Sequence, residues 1–457
     1  MTYAEKLARF ALLASFDGLS NAARLQLKIR VLDSLGCAIG ALEGPPVALI
    51  RKQIEDFGGR PLVTLIGGNK TSPDRAAFYN SALIRYLDFN DSYLAKGETC
   101  HPSDNIGAIL AAAEYAGRHG KEFLTALAVA YQALCRLCDV APVRAKGFDH
   151  TTLGSFAVAA GVSRALGLNP AETANAIAIS GTAFNALRVT RTGALSNWKG
   201  LAFPNTAFSC THAAFLAMRG ITGPAEVFEG NKGFMEAISG RFEMDWSQED
   251  LERVNRTIVK KYNAEIHSQS VLDTVLEMKR QARFDASQVE HIDIEVFDVA
   301  YNIIGGGEEG EKTLVRTKEE ADHSLPYMVA TAILDGQVMP QQYLPERIRR
   351  QVVQVLLRNV VVKPNEAYSG RFPDEMPCRV TVRLRDGRVL TQEGRDYEGF
   401  HSHPFTWETA LEKFSQLSEA YTTTSLQHEI ADAVAHLENI KIAKLTDLLA
   451  KVKTPAS

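Results

Sequence analysis

Five things are missing from this chain, and each absence removes a class of function. There is no surplus of positive charge: 50 Lys and Arg face 54 Asp and Glu, for a net charge of −4. That balance provides no bulk attraction for nucleic acid or an anionic membrane, so neither is expected as a partner. Cations for an anionic substrate must then be gathered locally. The longest apolar stretches are broken by charge before they reach bilayer length. Met1-Thr2-Tyr3-Ala4-Glu5-Lys6 opens no charged leader followed by an apolar stretch and a cleavage site, and the expectation is a cytoplasmic protein. The six cysteines, at 37, 100, 135, 138, 210 and 378, follow no disulfide framework. Gly305-Gly306-Gly307 runs into Glu308-Glu309 with no Gly-Lys-Ser/Thr after it. The acids would repel phosphate, so the stretch reads as a mobile loop and not a phosphate cradle.

What is present is mostly helix. With 457 residues, 46% hydrophobic and 23% charged, the chain suits two or three domains and a large core. Ser20 is placed to cap a helix whose apolar positions Leu25, Ile29, Leu32, Leu35 and Ile39 recur at helical spacing. Residues 109–116, 123–140, 152–166 and 170–183 repeat the pattern, with Pro170 suited to a first turn. After about 270 the texture changes. His291–Val296 alternates like a half-buried strand, Val360–Val362 is a short β-branched run, and Asp386-Gly387 sits between two strand-like segments as a hairpin turn. Helices are expected over 318–334 and 345–357, and again from 403 to about 452. The fold class is therefore mainly α with an α+β second domain: residues 1–269 and 403–457 helical, 270–402 the smaller α+β domain.

Chemistry concentrates in a few stretches. Asp88-Phe89-Asn90-Asp91 and His101-Pro102-Ser103-Asp104-Asn105 bring Asp88, Asp91, His101 and Asp104 into one short segment between apolar helix formers. A carboxylate and an imidazole held together can share general acid–base work, and burial at helix ends shifts pKa values readily. The structural alternative is a cap, with Ser103 or Asp104 starting the helix near Asn105. In Phe148-Asp149-His150-Thr151-Thr152, either threonine can cap the next helix and leave His150 at its N-terminus. The dipole there disfavours imidazolium and favours a neutral base or a bound anion; the alternative is a half-exposed loop histidine.

Arg188-Val189-Thr190-Arg191-Thr192-Gly193 and Ser196-Asn197-Trp198-Lys199-Gly200 offer cations and hydroxyls suited to carboxylates, against a solvated loop. Lys260-Lys261-Tyr262-Asn263-Ala264-Glu265-Ile266-His267 lies near the domain boundary, where ligand sites are favoured, against solvated charge. In Asp322-His323-Ser324-Leu325-Pro326-Tyr327, Pro326 places a kink or helix start beside Tyr327; the alternative is a capped helix with Tyr327 in the core. Cys135 and Cys138 share a helix face, but no third cysteine has a persuasive context, and both are read as small apolar fillers, not metal ligands.

Together these motifs resemble the MmgE/PrpD family over nearly the whole chain. Leu87-Asp88-Phe89-Asn90-Asp91 with His101-Pro102-Ser103-Asp104-Asn105 is the most specific match. Gly223-Pro224 with Phe228-Glu229-Gly230 and Gly233-Phe234, Lys261-Tyr262 with His267-Ser268-Gln269, and Asp322–Tyr327 add support. The resemblance implies an all-helical domain built from both chain ends, a smaller α+β domain and a homodimer. It also implies no metal or other cofactor, the iron–sulfur cluster of aconitase included. Family activities are dehydration of 2-methylcitrate, decarboxylation of cis-aconitate and epimerisation of iminodisuccinate, all on small polycarboxylates. The family's site motifs fall on Asp91, His101, His150, Lys199, Lys260 and Tyr327.

The expected activity is dehydration of a 2-methylcitrate-like hydroxy-tricarboxylate. Asp91, His101, His150 and Tyr327 would be catalytic, and Arg188, Lys199, Lys260 and Glu265 would bind substrate. Epimerisation is the second reading and a non-catalytic polycarboxylate binder the third. Two departures stand out. Thr99-Cys100 replaces the Trp-Gly that dehydratase-like members often carry, and Glu265 stands where decarboxylase-like members have histidine, which disfavours decarboxylation.

Overall fold

The computed structural model describes residues 1–193 and 195–453. The chain divides into two compact units: Met1–Arg191, Asn197–Ile258 and Phe405 onward form one, and Val259–Pro404 with the short stretch Thr192–Ser196 the other. The division falls at 258/259, earlier than the 269/270 expected. Hydrogen bonding explains the difference. Ile258 pairs with Ser92 of the first unit, whereas the N–H groups of Val259, Asn263 and Glu265 donate to the carbonyls of Gly399, Val338 and Asp322 in the second. At the other end, the return to the first unit comes at Phe405 rather than 403.

The first unit is helical. It holds α1 (Tyr3–Leu13), α2 (Asn21–Gly40), α3 (Pro45–Phe57), α4 (Pro73–Tyr86), α5 (Ile106–Tyr115), α6 (Gly120–Val140), α7 (Thr151–Leu166), α8 (Pro170–Ala183) and α9 (Trp198–Ala217). Two small antiparallel hairpins interrupt them, β1 (Val63–Thr64) with β2 (Lys70–Thr71) and β3 (Tyr93–Ala95) with β4 (Glu98–Cys100). Ser20 caps α2 as its sequence requires, its hydroxyl accepting from the Ala23 N–H. Ile29, Leu32, Leu35 and Ile39 are buried, but Leu25 is 43% exposed and lies off that face. Asn169 and Glu172 form a capping box on α8 with Pro170 in its first turn. Alanine-rich faces let α6, α7 and α9 sit deep in the unit. Among the described residues α6 is long and apolar enough to cross a bilayer, yet 83% of its apolar window is buried within the fold. After Pro404 the chain returns, and the helix Trp407–Ser418 packs on α2.

The second unit centres on a four-stranded sheet of β5 (Val289–Val296), β6 (Val360–Pro364), β7 (Cys378–Leu384) and β8 (Val389–Gly394), in the order β6-β5-β7-β8. β5 and β6 run parallel and the other pairs antiparallel. Gly387, at φ +88°, makes the Asp386-Gly387 turn that joins β7 to β8. The helix α10 (Gln269–Ala282) lies on β7 and β8. The helix expected over 318–334 is two pieces, Lys318–Ala321 and Leu325–Asp335. Ser324 caps the second piece by accepting from the Tyr327 N–H, and Pro326 occupies its first turn. The run 345–357 likewise breaks at Arg350, whose ψ of 124° is non-helical. The triple-glycine stretch is only partly a loop: Tyr301–Gly305 is a single π-helical turn.

Candidate active site

The β3–β4 hairpin is what positions His101. Tyr93 pairs with Cys100, so the next residues out, Ser92 and His101, face each other at the open end. The Ser92 hydroxyl lies 3.0 Å from His101 Nδ1, and the Asp91 backbone carbonyl lies 2.8 Å from the same atom. A carbonyl only accepts, so Nδ1 carries the hydrogen, and in the neutral ring Nε2 holds the lone pair. The tautomer is thus assigned by a main-chain bond.

This corrects the expected role of the Asp91 carboxylate. It does not touch His101. Its oxygens accept from the Ser103 N–H (2.9 Å) and the Tyr131 hydroxyl (2.7 Å), with Arg30 at 3.9 Å. Burial pushes its carboxyl upward despite Arg30. Asp91 is a positioning residue that acts through its main chain. Ser103 and Asp104 do not cap a helix either. Pro102–Asn105 is a 3-10 turn before α5, and Asn90 donates to both Ser103 (2.8 Å) and Asp104 (2.7 Å).

His150 stands at the N-terminus of α7 as expected, but Asp149 and not a threonine serves the helix end. The Asp149 carboxylate accepts from the Thr151 N–H at 3.2 Å, while Thr152 turns its hydroxyl to the Ala186 N–H. The rings of His101 and His150 meet edge to face with centroids 5.5 Å apart. His150 is 2% exposed, and its Nε2 has no hydrogen-bond partner among the described residues. Burial, aided by the nearby Arg191, Arg85 and Arg188, outweighs Asp149 and holds the His150 imidazole at about 3. It is a neutral ring at any ordinary pH.

Cations surround the pair. Arg191 Nε binds the Asp149 carboxylate at 2.7 Å, with Arg188 at 3.9 Å. Burial would raise the Asp149 carboxyl, but the guanidinium groups of Arg191 and Arg188 bring it far below the usual range. Asp88, in the left-handed region at φ +55°, is gripped by Arg85 (2.5 Å) and Lys199 Nζ (3.1 Å). Such a conformation is uncommon for a non-glycine residue and is sustained by its surroundings. Asp104, fully buried 3.5 Å from Arg85, is pushed by burial to about 7, so it can carry or release a proton near neutrality.

The second unit has its own cluster. Glu265 accepts from both the backbone N–H and the ring Nδ1 of His267, each at 2.7 Å. Burial would raise its carboxyl, but His267, His323 and Lys260 together bring it down to about 2. Lys260 and His267 are each 1% exposed. Tyr327, expected as a proton-active group, is instead built into this unit's core. It is 0% exposed and its hydroxyl donates to the Gln342 carbonyl at 2.5 Å. Burial pushes it up to about 12.

Of the residues singled out from sequence, His101, His150, Arg188 and Lys199 belong to the first-unit cluster, and Lys260 and Glu265 to the second. Sequence reasoning left Asp149, Arg85 and His267 out of the site, and it named Asp104 and Arg191 in their motifs without giving either a role. All but Arg85 lay within the motifs already quoted, so the missing signal was pairing, not residue type. Cys100, Cys135 and Cys138 are all buried, and β4, which ends at Cys100, packs on α6, which carries the other two. Burial pushes all three thiols up, Cys138 to about 11, so they are neutral fillers beside His101.

Comparison with known proteins identifies the family of the chain. The profile of the MmgE/PrpD N-terminal domain matches residues 5–247, and that of the MmgE/PrpD C-terminal domain residues 262–439. The chain is 27% identical to the 2-methylcitrate dehydratase of Salmonella typhi, covering 92% of this chain and 91% of that protein. It is 28% identical to the 2-methylcitrate dehydratase of Escherichia coli strain K12, over 81% and 80%. It is 24% identical to the cis-aconitate decarboxylase of Mus musculus, over 82% and 78%.

Proposed function

The chain belongs to the MmgE/PrpD family, and on that premise we propose that it is a hydro-lyase that dehydrates a 2-methylcitrate-like hydroxy-tricarboxylate without a metal. The observation that carries the reading is the pair of buried imidazoles 5.5 Å apart. One is fixed as a tautomer by a carbonyl and the other is kept neutral among arginines. Dehydration takes a proton from the carbon beside a carboxylate, breaks the C–O bond of the hydroxyl, and needs a second proton to release it as water. One of His101 and His150 takes the carbon proton as a neutral base, and the other, entering the step as imidazolium with the polyanion bound, gives its proton to the leaving hydroxyl.

Arg188, Lys199 and Arg85 balance the carboxylates and stabilise charge that develops on them. A bound polyanion neutralises the same arginines that lower His150, so substrate itself raises that ring toward the range of a working acid or base. Lys260 and Glu265 are proposed to handle substrate charge in the second unit. The relatives named 2-methylcitrate dehydratase support the reaction class. A cytoplasmic homodimer is part of the same proposal, and sedimentation of the purified protein reads its oligomeric state.

The test is proton NMR in D₂O, with chelator present, on 2-methylcitrate, citrate, cis-aconitate and a source of iminodisuccinate. An alkene formed from a hydroxy acid is the expected result. Deuterium at the α-carbon without alkene would instead indicate an epimerase. Replacing His101 with Ala should lower kcat by roughly 10²-fold or more; an unchanged kcat in the folded variant removes it from proton transfer.

A further inference from the structure

His101 is held by the Asp91 carbonyl, so its geometry is only as fixed as the segment 89–92. That segment is wholly buried and is anchored at its start by a residue from the far end of the chain. Lys413, on the helix Trp407–Ser418, donates from Nζ to the Phe89 carbonyl at 2.7 Å. The same ammonium lies 3.7 Å from the Phe89 ring centroid and 2.7 Å from Asp33 Oδ1 on α2. Asp33 is 1% and Lys413 6% exposed.

The approach of the two helices is set by glycine. A Cβ on Gly36 would lie 3.0 Å from the Phe414 Cα, and one on Gly40 would lie 3.0 Å from the Leu417 carbonyl. On the other side, α2 also provides Arg30, which bonds Thr257 through Nε (3.1 Å) and its second terminal nitrogen (2.9 Å) and faces the Asp91 carboxylate. Thr257 precedes Ile258, whose N–H and carbonyl pair with Ser92 at 2.8 Å each.

We infer that Lys413 is a positioning residue for His101: through Asp33 and the Phe89 carbonyl, the C-terminal helix fixes the main chain that sets the His101 tautomer. This rests on the proposed role of His101 in proton transfer. An isolated buried ion pair is poor value as a stabiliser, because desolvation offsets most of its attraction. Here the ammonium also holds a main-chain carbonyl two residues from the one that holds the imidazole. The pair therefore specifies geometry.

The experiment removes both charges together, so that neither is left buried alone. In Asp33→Asn/Lys413→Met, kcat for the hydroxy acid should fall about 10- to 100-fold, with KM changed less than about threefold, as a misplaced catalytic group predicts. In ¹⁵N-histidine spectra the protected Nδ1–H of His101 should broaden or vanish. Lys413→Arg, which keeps the charge and the donor, should recover most of both signals. Lys28→Met is the control. It removes a different tie of α2 to the C-terminal segment, to the Ala435 carbonyl at 2.8 Å and Glu438 at 3.2 Å. It should lower stability while leaving the His101 signal intact.

A folded double variant with unchanged kcat and an unchanged His101 Nδ1–H overturns the inference. So does loss of the His101 signal in Lys28→Met as well. If the double variant does not fold, Lys413→Gln, which removes the charge but keeps a polar side chain, is read by the same two signals. If the wild-type protein turns over none of the polycarboxylates, the functional reading fails, and the His101 resonance still decides the positioning role.

Discussion

Of the described histidines that stand beside carboxylates, His150 and His267 are buried, and their surroundings differ. His150 lies 3.4 Å from Asp149, and His267 lies 2.7 Å from Glu265. In the first unit the charge of Asp149 is taken up by Arg191 and Arg188, so burial prevails and His150 stays neutral. In the second unit Glu265 gives both oxygens to His267, one to the backbone N–H and one to the ring. A carboxylate next to a histidine is therefore no guide to how the two are paired. What else the carboxylate binds decides how much of its charge reaches the ring.

Arg191→Met should break the comparison most severely. Without Arg191 the charge of Asp149 acts on His150, which moves up and becomes protonated in mildly acidic solution. At pH 6 kcat should fall about 100-fold, most of it from loss of the guanidinium beside the reacting groups, and the few-fold share due to the protonated ring should recover as the pH is raised. A flat loss across the pH profile would mean that Arg191 acts only by binding substrate.

The second prediction concerns stability. The unfolded imidazole has its ordinary pKa near 6.5, whereas the folded one is held at about 3. The unfolded chain therefore binds a proton that the folded chain refuses, and stability is lost as pH falls below about 6.5. Between pH 6.5 and 4.5 the wild type should lose about 2 kcal/mol more than His150→Asn in denaturant titrations. Asp104 and Glu98, which burial raises to about 7, act in the opposite sense and cancel in the difference. Equal losses in the two proteins would show that His150 is not buried as a neutral ring.

Glu265→Gln should sharpen the contrast from the other side. The amide oxygen still accepts from His267, but the ionised partner is gone, and charge-assisted bonds are roughly twice as strong as neutral ones. A fall of about tenfold in kcat/KM is expected from steady-state kinetics. An unchanged value would confine the pair to holding its loop. The smallest effect is expected from Tyr327→Phe: about 1 kcal/mol of stability from the lost bond to Gln342, with kcat essentially kept. A large drop in kcat with stability intact would restore Tyr327 to the site.

Most helices were legible, because apolar spacing and caps are local properties. Pro170 to Ala183 matches its helix to the residue, and Ser20 caps α2. The errors came where a distant partner overrode a local preference. Ser103 looked like a cap but accepts from Asn90, and its N–H is taken by Asp91. Thr152 looked like a cap but turned to Ala186. The site residues behaved the same way. Asp91 and His101 were found as neighbours, yet the bond between them runs through a carbonyl that every residue has.

The sequence by itself determined the family, the mainly α class with its α+β second part, and the stretches that hold the proton-active and cationic side chains. Residue type and periodicity carry that information wherever the chain goes. Only the tertiary structure decided that Asp149 serves Arg191 before His150 and that Asp91 meets His101 through its backbone. The tie from Lys413 to the segment before His101 belongs with them. Protonation and orientation depend on which groups share a desolvated space, and that space is assembled from helices far apart in the chain.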